Sequence, residues 1–347
     1  MFGANKRRSY CEPKPFYAIF YGDNAVVETE KQKASPVINI VVTGATGFLG
    51  SYLLPFLVRK GKYQIRAMTR SLKSGLKRES NLITWQQGDL LSRADCLEFA
   101  TQVDAIIHLA HTNNALTSDR DLPGDAMANL IPTLNLLESI KRSGRKVRVI
   151  YASSGGAVYG SNTRHVPFRE DDPCVPLSGY GIQKLMVEHY LRLAAREGFL
   201  TATVFRIANP YGILLPADRM QGFIGVALRR IQCGEKIRLF SPKETVRDYL
   251  HIEDMCRGVE CALYSDQPYS IINLGSGKGH SLADVLGIMA DLLGPFDVEY
   301  GATQDYAGML PSWNVLNISK AQRELGWIPE IDLVDGIARS CREVALS

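Results

Sequence analysis

An uncharged apolar segment, Val37–Val42, runs directly into Gly44-Ala-Thr-Gly47-Phe-Leu-Gly50 and then into an apolar stretch ending near Lys60. A strand, a glycine turn and a helix in that order form the opening unit of a parallel sheet. The glycines permit a tight turn and let backbone N–H groups approach a pyrophosphate, and the helix amino-terminus adds partial positive charge. The spacing is GxxGxxG rather than the GxGxxG of the commoner dehydrogenases. Residues 34–58 carry no charge, which is long enough for a membrane span. Three glycines, Pro55 and a β-branched first half argue instead for strand, turn and helix.

Alternation continues downstream. Apolar strands are expected at Gln64–Thr69, Leu82–Gln87, Ala105–Leu109, Val147–Ala152 and Leu200–Arg206, with helix-length amphipathic stretches between them, including Asp125–Ser143 and Tyr180–Glu197. Apolar strands alternating with helices predict an α/β fold, a Rossmann-type doubly wound parallel sheet, over residues 37–206. Beyond Asn209 the elements shorten: helices near 221–233, 281–293 and 332–345, strands near Ile237–Phe240 and Ile271–Leu274. Residues 207–347 are expected to form a smaller α+β substrate domain, and residues 1–36 an N-terminal extension. With 347 residues, 46% hydrophobic, the chain can bury a sizeable core. Forty basic against 36 acidic residues imply no polyanion partner, so no nucleic acid is expected. Seven scattered cysteines without a CxxC pair suggest neither a zinc site nor a disulfide framework. No metal, no membrane contact and a cytoplasmic location are expected, the basic Met1–Arg8 lacking the apolar core of a secretory signal.

The end of the second strand selects the dinucleotide. An acidic residue there would bond the ribose 2′-hydroxyl of NAD. This chain has Thr69-Arg70-Ser71, with Lys73 and Lys77 following, so a 2′-phosphate and hence NADP stays open beside NAD. Asp89, after the third strand, is placed to accept from an adenine amino group. His108, inside an apolar strand, reads as a satisfied core histidine.

Ser153-Ser154 closes the fifth strand, and Tyr180-Gly-Ile-Gln-Lys184 then opens a helix, with Tyr and Lys on one face at i and i+4. A phenol titrates near pH ~10, so acting as a base near neutrality needs a drop of roughly 3 units, about 4 kcal/mol. An ammonium at about 5 Å in an effective dielectric of about 20 supplies roughly 3 kcal/mol. The Lys184 ammonium is therefore expected to depress Tyr180, with the nicotinamide ring supplying the rest.

From Val37 to Pro329 the chain resembles the extended short-chain dehydrogenases/reductases of the NAD-dependent epimerase/dehydratase family, most like its UDP-glucose 4-epimerase branch. The resemblance rests on the glycine turn, the Ser153–Gly160 and Tyr180–Lys184 segments, Arg206-Ile-Ala-Asn209-Pro-Tyr211-Gly212, Arg247-Asp-Tyr-Leu-His251-Ile-Glu-Asp254, Asn273-Leu-Gly-Ser-Gly and Leu325-Gly-Trp327-Ile-Pro. It implies a nucleotide-diphosphate sugar substrate and a homodimer paired through two long helices. It implies cofactor contacts at Gly44, Thr46, Gly47, Phe48, Leu49, Arg70, Asp89, Leu90, Leu109, Ala110, His111, Tyr180 and Lys184. Tyr180 is then the acid/base, Ser154 bonds the same sugar oxygen, and Asn209 and Arg247 meet the diphosphate. For Arg247 a structural salt bridge is the alternative, and Trp327 and Asp254 are expected to be structural.

Two departures stand out. Counting forward along the strand gives Ser154 as the hydroxyl; counting back from Tyr159-Gly160 gives Gly155, and Ser153 also remains open. Relatives carry an Arg shortly before an Asp-x-Ser-Lys-Ala segment, whereas Gln304 to Leu316 here has none and that Asp is Asn317. One diphosphate contact is missing or comes from elsewhere, Arg219 being a candidate. The expected activity is a nucleotide-sugar 4-epimerase. The alternatives are an NADPH-dependent keto-sugar reductase and a non-catalytic redox sensor. Gly155-Gly156, where dehydratases keep an acid pair, speaks against a 4,6-dehydratase.

Overall fold

The computed structural model describes residues 37–72, 80–112, 118–212, 222–301 and 311–346. The extension read at 1–36, together with Lys73, Lys77, Arg219 and Gln304, lies outside the described residues. The charge-free stretch resolves into β1 (Ile38–Thr43), the glycine turn and α1 (Phe48–Arg59). There follow β2 (Tyr63–Thr69), β3 (Ile83–Gln87), α2 (Arg93–Ala100), β4 (Ala105–His108), α3 (Leu122–Arg142) and β5 (Val147–Ser154). A short α4 (Gly155–Val158), the long α5 (Gly179–Glu197) and β6 (Leu200–Ile207) complete the run.

All pairs in the large sheet are parallel. From β1 the chain steps outward through β2 to β3, then returns to the other side of β1 for β4, β5 and β6. The reversal puts a crevice at the carboxyl ends of β1 and β4, where ligands of doubly wound sheets bind. Strand residues with sequences such as Ile40-Val-Val and Ala105-Ile-Ile are buried on both faces, as a helix-covered parallel sheet requires. One core cluster packs α1 against the sheet and a second packs α2, α3 and α5 on the opposite face.

After β6 come β7 (Asn209–Tyr211), α6 (Phe223–Gln232), β8 (Ile237–Leu239), β9 (Val246–His251) and α7 (Ile252–Ala262). Then follow β10 (Tyr269–Leu274), β11 (Gly279–Ser281), α8 (Leu282–Leu293), β12 (Val298–Tyr300), β13 (Trp313–Asn314), α9 (Ser319–Leu325) and α10 (Leu333–Leu346). The strand expected at Ile271–Leu274 within the smaller domain is instead β10, the edge strand of the large sheet beside β6. α7 likewise packs on α1. The smaller sheet has β9 at its centre, flanked by β11, β13 and β7. Its own core is built from α6, α8, α10 and residues such as Tyr211, Tyr249 and Leu239.

Asp254 and Trp327 are structural, as expected. The Asp254 carboxylate accepts from the N–H groups of Glu330 and Ile331, and Trp327 Nε1 donates to the Asp254 carbonyl at 2.9 Å. Among the described residues, no helix is long and apolar enough to cross a membrane, and no cluster of His, Cys, Asp or Glu is suited to a metal ion. The cysteines among them are free thiols.

Candidate active site

The glycine turn shows why its residues are small. Gly44 has φ +69°, and a Cβ there would stand 2.7 Å from the Ala110 nitrogen, where the ends of β1 and β4 meet. At Gly50 a Cβ would strike the Gly44 carbonyl at 2.4 Å, so α1 can start close beneath the turn only without side chains. Gly47 caps α1 with no side-chain hydrogen bond, and no acidic residue occupies the first turn. The helix N–H groups at this end have no side-chain acceptor from the cap residue or the first turn. α5 is the opposite case. Its first N–H groups are taken by Asp119 Oδ1 (to Gly179, 2.6 Å), Ser118 Oγ (to Tyr180, 2.7 Å) and Ser178 Oγ (to Gly181, 3.3 Å). An open N-terminus beside a glycine cradle fits the pyrophosphate of a dinucleotide.

A cavity of about 240 Å³ opens above this turn. Gly44, Gly47, Phe48 and Leu49 form one wall, and Ser154, Tyr180 and Lys184 face them. Leu109 and His111 join from the end of β4. Thr46, Arg70, Asp89, Leu90, Ala110, Asn209 and Arg247 do not line this cavity. Thr46 lies in the turn and Ala110 beneath it, backing Gly44. Arg70 is exposed directly after β2, and its carbonyl accepts from Gln87. Asp89 is exposed after β3, with one carboxylate oxygen accepting from Leu91 N–H at 2.9 Å. Leu90 is buried and its carbonyl accepts from Asn135. Five lining residues were not singled out as site residues in the sequence: Ala152, Thr112, Ile207, Ala208 and Pro210. The last three lie next to Asn209, so their place in the chain was the available signal.

Of the three candidates for the hydroxyl, Ser154 is the one that lines the cavity with Tyr180 and draws the phenol's titration down. Ser153 is turned the other way and donates to Glu188 Oε1 at 2.5 Å. Gly155 has no room for a side chain, since a Cβ would stand 2.6 Å from Leu316 Cδ1 and 3.2 Å from the Arg206 carbonyl. Glu188 lies one turn beyond Lys184 on α5, and both its oxygens pair with the buried Arg206 guanidinium of β6, the shortest contact being 2.7 Å. This ion pair anchors β5, β6 and α5 to one another beneath the cavity.

Lys184 Nζ donates to the Ala152 carbonyl at 2.7 Å and stands 5.5 Å from the centre of the Tyr180 ring. The expected depression of Tyr180 by Lys184 is not seen. Desolvation pushes the phenol up to about 12, with the Ser154 hydrogen bond pulling it down. Desolvation also brings the Lys184 ammonium down to about 7, against the opposing pull of Glu188. Loss of hydration outweighs mutual attraction where both groups leave water, so the protein alone does not activate the phenol.

His108 is a satisfied core residue. Its Nδ1 pairs with Thr43 Oγ1 at 2.7 Å and its Nε2 with Thr133 Oγ1 at 2.9 Å. Outside the cavity's lining, Asn209 Nδ2 donates to the Asp248 carbonyl at 3.1 Å. Arg247 is half-buried and donates to its neighbour's carbonyl, and no carboxylate of the described residues forms an ion pair with it. The structural salt bridge considered for it is thus absent among those residues. Burial lowers its guanidinium, as expected for a cation lacking a counter-ion. In register beside it on β13 is Asn314, whose Nδ2 donates to the Gly155 carbonyl at 3.0 Å while its Oδ1 is buried without a partner among the described residues.

The NAD dependent epimerase/dehydratase family model matches residues 40–275. The UDP-glucose 4-epimerase of Azospirillum brasilense is 31% identical over 90% of this chain and 92% of its own. The dTDP-4-dehydro-6-deoxyglucose reductase of Escherichia coli is 28% identical over 88% of this chain and 97% of its own. Among solved structures, the Thermus thermophilus UDP-glucose 4-epimerase in complex with NAD superposes with a TM-score of 0.79. That match has 25% identity and covers 89% of this chain and 99% of the other.

Proposed function

The chain belongs to the NAD dependent epimerase/dehydratase family, and we propose that within it the protein is a nucleotide-sugar 4-epimerase with NAD held in the cleft. The observation that carries this reading is the convergence of Ser154, Tyr180 and Lys184 on the wall opposite the glycine turn. Its epimerase relative is named for UDP-glucose, and its structural neighbour holds NAD.

Gly44, Gly47 and the N-terminus of α1 would hold the pyrophosphate, and Lys184 would hold the ribose next to the nicotinamide. When bound, NAD supplies the hydride acceptor and donor together with a positive ring that favours the Tyr180 phenolate. Tyr180 Oη takes the proton of the sugar 4-hydroxyl and later returns one, while Ser154 Oγ fixes the same oxygen. Asn209 and Arg247, which has no ion-pair partner among the described residues, grip the diphosphate. Between the two proton transfers the 4-keto sugar turns over on that anchored diphosphate and presents its other face. Residues 155 and 156 carry no side chain, so no acid pair stands ready to eliminate water from C5 and C6. A second copy of the chain packs on α5, where Ile182, Met186, Tyr190 and Leu193 form an exposed apolar stripe at helical spacing.

Purified protein given UDP-glucose and no added dinucleotide should produce UDP-galactose to a constant ratio, followed by proton NMR. Absence of interconversion, with NADPH-dependent reduction of a 4-keto sugar nucleotide, would favour the reductase reading. That second reading draws on the exposed Arg70, which stands where an NAD-selective enzyme would carry an acid, and on the reductase relative.

A further inference from the structure

His108 and His111 are three residues apart at the end of β4, yet only the first is satisfied. His111 Nε2 is buried with no hydrogen-bond partner among the described residues. Leaving such an atom unpaired costs about 1–3 kcal/mol, and folded proteins rarely do so without a reason. The ring itself is well held. It meets the Tyr180 ring edge-on, with centroids 5.0 Å apart and planes at 85°, and it lines the same cavity as Ser154 and Tyr180.

We propose that His111 is a specificity-determining residue that hydrogen-bonds a hydroxyl of the substrate sugar adjacent to the one handled by Tyr180. The inference rests on the nucleotide-sugar reading. Two observations support the assignment to a hydroxyl. Burial, with Lys184 and His108 adding to it, pushes the imidazole down to about 2, so the ring is neutral and offers one donor and one acceptor. That pair complements a hydroxyl, which does both, and not a phosphate, which only accepts. The second is position: the imidazole lies against Tyr180, whose oxygen and that of Ser154 meet the reacting hydroxyl. The neighbouring sugar carbons are therefore within one side chain's reach. The nicotinamide carboxamide is the competing partner, and cofactor affinity separates the two.

The test uses NAD-loaded full-length protein with UDP-glucose and its analogues lacking the 2- or the 3-hydroxyl. His111→Phe keeps a ring against Tyr180 and removes both nitrogens. It is expected to lower kcat/KM for UDP-glucose about tenfold or more, the loss of one hydrogen bond to a neutral group, with the Kd for NAD unchanged. On the analogue lacking the contacted hydroxyl, wild type and His111→Phe should become equal. His111→Gln, whose amide reaches near the Nε2 position, should recover part of the loss. Full activity in His111→Phe makes the imidazole a packing group and overturns the proposal. A rise in the NAD Kd with unchanged kcat/KM at saturating NAD assigns it to the cofactor and also overturns it. So does an equal loss on all three sugars. A wild-type protein that converts no nucleotide sugar overturns the reading on which the proposal rests, and does so before any variant is made.

Discussion

The two walls of the cleft are built differently. The dinucleotide wall comes from one continuous stretch, β1 to α1, closed by the end of β4 against Gly44. The groups proposed to meet the sugar nucleotide lie outside the cavity's lining, Asn209 on β7 and Arg247 on β9 with Asn314 beside it on β13, strands that meet in the small sheet. The first wall ends in a helix N-terminus with no side-chain cap bond and no acidic residue in its first turn, which suits an anion. On the second side, Arg247 bonds only its neighbour's carbonyl and forms no ion pair, and Asn314 Oδ1 is buried without a partner, among the described residues. A shared cofactor can be met by one fixed turn, whereas substrate choice is spread over residues free to differ independently.

That contrast can be broken by substitutions on either side. Tyr180→Phe should have the largest effect, lowering turnover by about 10³-fold or more while cofactor release on denaturation is unchanged. Near-normal turnover would remove Tyr180 from proton transfer. Glu188→Gln strips the partner from buried Arg206 beneath both walls and should cost about 3–5 kcal/mol of stability, read as a lower urea midpoint. An unchanged midpoint would mean that the ion pair does not anchor the sheet.

Two further variants sharpen the difference between the walls. Arg247→Ala should raise KM for UDP-glucose about 10–100-fold, as for a charged hydrogen bond of about 1.5–3 kcal/mol, with the NAD Kd unaltered. Gly44→Ala should do the reverse, weakening NAD about tenfold or more, because the side chain adds about 1–2 kcal/mol of left-handed strain and meets the Ala110 backbone. If both variants changed KM and the NAD Kd alike, the walls would not be independent.

The smallest effect is on pH. Burial lowers His108 to about 3, with Lys184 adding to it, and lowers His111 to about 2, both from an ordinary value of 6.5. A histidine with a depressed folded pKa contributes stability that is fully present above 6.5 and declines as pH falls toward the folded value. The melting temperature should therefore drop progressively below pH 6.5, and His108→Gln should flatten that slope. A slope identical to wild type would exclude His108 as a contributor.

The sequence carries the dinucleotide wall almost whole, because its signal is local. Strand, glycines and helix are consecutive, and Tyr180 and Lys184 share a helix face. The choice among Ser153, Ser154 and Gly155 is not legible there, since it depends on the direction of each side chain at the end of β5. Glu188 and Arg206 decide it by drawing Ser153 to the other side. Chain order alone places β10 with the smaller unit, because β7 and β9 of the second sheet precede it and β11 and β13 follow it. Its pairing with β6 is non-local and leaves no periodic trace. The activation of Tyr180 is overstated in the sequence for a related reason. Spacing gives the Tyr–Lys distance but not the desolvation of both groups, and desolvation dominates here.

The central claim is that the cofactor is resident and the reaction returns every electron it takes. Denaturing the purified protein and identifying the released dinucleotide by chromatography and absorbance tests that claim most directly. NAD or NADH released in equal amount to the protein is the predicted result. A protein that releases nothing and then binds NADPH in preference to NADH would contradict it.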